Sequence, residues 1–155
     1  MLKTHICTVI GLIGAWIATL FGGWDTGLIT LIIFMVIDYV SGLVVAGVFH
    51  NSKKTESGTL ESRAGWKGLA RKCMTLLFVL IGYRLDLMIG TTYVRDAVII
   101  GFVANEAISI VENAGLMGLP LPGMIQKAID VLVKKAGDIT EPNASGGGDD
   151  DGKDY

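Results

Sequence analysis

At 155 residues the chain is about one domain long, yet 51% of it is hydrophobic, only 18% is charged and its mean hydropathy is +0.55, whereas a soluble domain is about a quarter charged. A formal charge of −2, a pI near 5.6 and the lack of a basic arm with interleaved aromatics argue against nucleic acid as a partner. Cys7 and Cys73 stand far apart with no Cys/His spacing around them, which argues against a disulfide framework or zinc centre and predicts two buried apolar thiols; no cofactor is expected.

A bilayer core about 30 Å thick takes about 20 apolar residues in a helix, and four runs approach that length. The first, residues 6–23, is uncharged. A basic start at Lys3 followed by an apolar run also fits a secretory signal, but Leu20, Phe21 and Trp24 make a poor small-residue cleavage site, so a retained helix is expected. Gly14, Ala18 and Gly22 recur every four residues, with Gly11 and Ala15 one row over, a stripe that lets helices approach closely in lipid. The second run, residues 26–49, holds one charge, Asp38, and repeats the small-residue spacing at Gly42 and Ala46. Neither run has a polar face to show to water, which disfavours a soluble bundle.

Residues 51–58 read as a polar loop and residues 60–72 as a short basic helix at the membrane surface. Its Trp66, Leu69 and Ala70 would face lipid, while Arg63, Lys67 and Arg71, with Lys72 following, would each gain about 1 kcal/mol beside anionic headgroups. An ordinary solvated loop is the alternative. The third run, residues 73–90, carries Arg84 and Asp86; the fourth, residues 94–117, carries Arg95, Asp96, Glu106 and Glu112. Asp38 and Glu106 fall near mid-membrane, where a charge costs about 2.5–3.5 kcal/mol and faces a partner or water. Arg84 is the expected partner of Asp38, Asp86 or Glu106; lining a water path after assembly is the other reading.

Pro120 and Pro122 stop the fourth helix. Residues 124–135 form an amphipathic segment suited to the membrane interface or to a neighbouring protein surface. From residue 137 the chain turns to Gly, Asn, Ser and Asp, which predicts disorder. The expected fold is thus an all-α integral membrane protein of about four transmembrane helices with short amphipathic interfacial helices. Its membrane domain covers residues 1–136 and a disordered acidic Gly/Asp-rich tail covers 137–155. Of the thirteen basic residues, all but Arg84 and Arg95 fall on the side that a four-span topology with both termini inside makes cytoplasmic. No nucleophile with a base beside it and no phosphate-binding glycine loop occurs, so no enzyme is expected.

Three blocks carry a family resemblance: Asp38-Tyr39-Val40-Ser41-Gly42, then Ser62-Arg63-Ala64-Gly65-Trp66-Lys67-Gly68 leading to Arg71-Lys72, then the stretch from Ala104 through Asn105, Glu106 and Glu112 to Gly115, followed by Gly118-Leu119-Pro120-Leu121-Pro122. In this order and spacing the chain resembles the toxin-secretion/phage-lysis holins over about residues 29–135. The resemblance implies a protein that accumulates in the bacterial cytoplasmic membrane, associates with itself and opens lesions through which an endolysin, or in relatives a toxin, leaves the cell. It transfers no catalytic residue and marks Asp38, Asn105, Glu106 and Glu112 as matched polar positions. A small transporter or ion channel with a path past Arg84 and Glu106 is the rival, and a membrane scaffold a third reading.

Overall fold

The computed structural model describes residues 1–53 and 61–140, and within them the chain is helical and without strands. Five helices follow in order: α1 Leu2–Leu20, α2 Thr26–Gly47, α3 Ser62–Ile89, α4 Val94–Leu116 and α5 Gly123–Thr140. Helix α4 is the centre, packing against α2, α3 and α5, while α2 and α3 touch each other only sparingly. The core lies where these helices meet: Leu28, Leu31 and Met35 from α2, Val79 from α3, and Ile99 and Val103 from α4.

Helices α1 and α2 are separated by Gly22 and Gly23, both at positive φ, which glycine adopts without penalty. A Cβ on Gly22 would stand 2.7 Å from the Tyr83 ring, so this turn seats directly against α3. Asp25 then caps α2, its carboxylate accepting the Leu28 N–H at 2.8 Å. Apart from Ala18, the described side chains of α1 are not buried, and Leu12 and Trp16 are about two-thirds exposed, at 66% and 64%. Along α2 and α3, Val36, Val40, Leu77 and Ile81 are likewise exposed. Meanwhile Asp38, Lys72, Arg95 and Glu106 are inside. Apolar outside and charged within is the arrangement that lipid favours and water does not.

By length and composition, α1 over Lys3–Leu20 and α2 over Thr26–Gly47 suffice to cross a membrane; among the described residues α3 and α4 do not meet that measure. The basic stretch at residues 60–72 is not a separate interfacial helix. No proline interrupts Ser62–Ile89, and α3 runs through it as one 28-residue helix. Cys7 and Cys73 are exposed rather than buried, because both lie on outward faces of their helices.

Beyond the turn at Gly118 and the two prolines, α5 folds back along α4. Ile129, Leu132, Ala136 and Ile139 form its half-buried seam, and Leu132 reaches the core cluster that holds Ile99 and Val103. Packing on the chain's own surface, rather than lying free, is thus the state seen for this amphipathic helix. It also runs on through residues 137–140, where the tail was expected to start, because Ala136 and Ile139 continue the seam. The remainder of the expected tail, residues 141–155, lies outside the described residues, as do residues 54–60 of the α2–α3 connection.

Candidate functional site

The buried residues of α3 are Lys72, Thr75, Val79, Gly82 and Asp86, alternating by three and four, which places them on one helix face. The same spacing in α2 brings Asp38 onto the face of Leu31 and Met35, and in α4 Glu106 onto that of Ile99 and Val103. Three inward faces therefore each deliver one charge to the same place. Lys72 Nζ donates to Asp38 Oδ2 at 2.8 Å and to Glu106 Oε2 at 2.5 Å. Asn113, two turns beyond Glu106, donates through Nδ2 to Asp38 Oδ1 at 3.0 Å, to the Asp38 carbonyl at 3.2 Å and to Ser41 Oγ at 2.8 Å.

One cation thus stands between two carboxylates in a buried setting, with an amide sharing the load on Asp38. Such a cluster contributes little net stability compared with an apolar core, but losing Lys72 strips both acids of the cation they share. Beside it opens a cavity of about 330 Å³ between α2, α3 and α4. Tyr39 closes over Gly65 and Gly68, where a Cβ would already be in van der Waals contact with its ring or hydroxyl.

A second polar network ties the opposite end of the bundle. Asp86, in the last turn of α3, accepts from Thr91 Oγ1 at 2.5 Å, Val94 N at 3.0 Å and Arg95 N at 2.9 Å, so it caps α4. Gly82 permits this close approach: a Cβ there would lie 3.1 Å from Arg95 Cα. The buried Arg95 guanidinium pairs with Asp25 and lies 3.4 Å from Asp96, while its Nε and Nη2 find no acceptor among the described residues. The Arg95 hydrogen bond, helped by the Leu28 N–H, holds the Asp25 carboxyl below its ordinary value against the opposing effect of burial.

Arg84 is exposed and pairs with none of Asp38, Asp86 or Glu106; Lys72 takes the place expected for it. Asn105 is exposed on the cavity wall and Glu112 faces outward, so neither joins the cluster. Lys67 also lines the cavity and is exposed, as are Arg63 and Arg71. Gly42 and Ala46 border the cavity inside the subunit, Gly14 has open space at its Cβ, and Gly22 belongs to the turn rather than to α1. Sequence reading missed Asn113 and the inward turn of Lys72. Counting seven back from Val79, or seven on from Glu106, puts each on its helix's core face.

The three sequence blocks that carry the resemblance meet at this cluster. The family model described as the bacteriophage holin family matches residues 15–134. The chain belongs to the bacteriophage holin family. Among its relatives is an uncharacterized protein of Listeria innocua, 39% identical over 140 residues that cover 88% of this chain and 94% of that protein. An uncharacterized 14.9 kDa protein of Clostridium perfringens is 33% identical over 81% of this chain and 89% of its own length. A probable holin of Bacillus phage phi105 is 26% identical over 76% of this chain and 82% of its own. No solved structure matches the chain. Holin-family membership and the apolar helices together support a membrane location and a non-enzymatic, holin-type role.

Proposed function

We propose that this holin-family chain crosses the bacterial cytoplasmic membrane through α1 to α4 with its N-terminus inside, accumulates there, self-associates and opens lesions that release an endolysin. The observation that carries the reading is the inside-out polarity of the bundle. Charges are sealed between α2, α3 and α4 while α1 presents apolar side chains on nearly every side. A helix so little engaged with its own subunit is available to pack against other copies, and Gly11 and Gly14 leave their surroundings open for such an approach. In this reading the Asp38–Lys72–Glu106 cluster holds the single subunit shut until assembly.

The test is inducible expression in a bacterium, with and without a co-expressed endolysin that lacks an export signal. Abrupt loss of viability after a lag, with lysis only when the endolysin is present, is the expected result. Solute-selective flux without endolysin release would instead assign the protein to the channel or transporter class. Continued growth with an intact membrane potential after verified insertion would reject a permeabilising role.

A further inference from the structure

Helix α5 poses a problem that the rest of the bundle does not. Its seam of Ile129, Leu132 and Ala136 is half-buried, and Leu132 extends to the core shared by the first half of α4. A helix that leaves the end of α4 and packs this way runs back to the depth at which α4 crosses the bilayer. On the far side Lys127, Asp130, Lys134 and Asp138 are all exposed, with Val131 among them and Lys135 at the flank of the seam. Ionised side chains are among the costliest groups to hold against acyl chains, and they occur at membrane depth where they face protein or a water-filled space. Among the described residues nothing of this chain covers that face, so at membrane depth it needs water or another copy against it.

From this geometry, and resting on the lesion-forming role above, we propose that α5 lines the aqueous path of the assembled lesion, its charged face turned to water and to the same face of neighbouring copies. The signs alternate along it, Lys127, Asp130, Lys134 and Asp138 following at intervals of three and four. This suits a wide path open to solutes of either charge, and it allows copies to meet without like charges facing. The apolar seam meanwhile stays on α4 and supplies the wall's attachment to the bundle.

The test uses full-length protein with Cys7 and Cys73 replaced by serine, reconstituted in vesicles of phosphatidylethanolamine and phosphatidylglycerol loaded with a fluorescent dextran. Three variants are made in this background: Lys134→Cys alone, Leu132→Cys alone, and the pair Val103→Cys with Leu132→Cys. Each is used only where dextran release matches the parent. In leaky vesicles the 103–132 pair should form an intramolecular disulfide under mild oxidation, which requires α5 to lie on α4. The thiol introduced at position 134 should react with a membrane-impermeant maleimide about tenfold faster than the single thiol introduced at position 132. Rapid labelling at position 134 with no 103–132 disulfide would place α5 on the membrane surface and overturn the inference alone. Protection of position 134 with the disulfide formed would overturn it too. If no preparation releases dextran, the lesion-forming role falls and this inference falls with it.

Discussion

Replacing Lys72 by Met keeps the length of the side chain and deletes its charge. Lys72 holds both Asp38 and Glu106 through buried contacts at 2.8 and 2.5 Å, so one substitution strips two carboxylates of their cation and leaves Asp38 only Asn113 and neighbouring groups. Removing one partner of a buried ion pair costs about 3–5 kcal/mol. For a chain of this size that is a melting-temperature loss of about 6–20 °C. Thermal unfolding of the detergent-solubilised protein reads it directly. The companion variant carries Lys72→Met, Asp38→Asn and Glu106→Gln together; with no charge left stranded, it should recover most of the loss. A Lys72→Met protein that melts within about 2 °C of the parent, or a triple variant no better than the single, would refute the claim that this cluster locks the bundle. In cells the same single substitution should bring lysis forward, because the restraint on assembly is weakened.

Other consequences are separable. Asn113→Leu removes the amide from Asp38 and Ser41 and should cost about 1–3 kcal/mol in the same melt, whereas Glu112→Gln at the adjoining exposed position should stay within about 0.5 kcal/mol. Gly82→Val sets a side chain against the Arg95 backbone, 3.1 Å from Cα even at Cβ, and should cost about 1–3 kcal/mol by prising α3 from α4. Because Arg95 holds the Asp25 carboxyl below its ordinary value of 3.8, that pair contributes stability above this pH and loses it as pH falls through the lower folded value. Melting curves taken downward from pH 5 should therefore flatten in Asp25→Asn relative to the parent. Arg84→Leu, at an exposed position outside both polar networks, should leave both the melt and the timing of lysis unchanged.

Helix α2 was legible because its long apolar run holds a single charge, Asp38, and α4 because prolines end the chain's helical course soon after Leu116. The charge cluster was half legible. Its acids stand alone in apolar surroundings and so attract notice, but the cation within the third apolar run, Arg84, faces outward. Lys72 sits at the end of a basic stretch whose other members, Arg63, Lys67 and Arg71, are exposed, and composition hides that one of them faces inward. What decides it is helix rotation, set by Val79, Gly82 and Asp86 on the same face. The packing of α5 was not legible for a different reason: an amphipathic pattern records that a helix has a partner, not which one.

The depth of Lys72 has a mechanical meaning. In the proposed topology, with the N-terminus inside, Asp38 and Glu106 each lie twelve residues, about 18 Å, below the outer ends of α2 and α4, while Lys72 lies seventeen residues, about 25 Å, below the outer end of α3. Its side chain must therefore stretch toward the bilayer centre to meet them, the reverse of the snorkelling direction a membrane lysine prefers. Once the contact parts, the ammonium can swing back to the inner headgroups at little cost, whereas the two acids have no such retreat. The cluster is therefore lopsided: recoil takes the cation to water within a side chain's length and leaves negative charge stranded in the bundle. That charge presses the helices to admit water, which makes reclosure harder than opening.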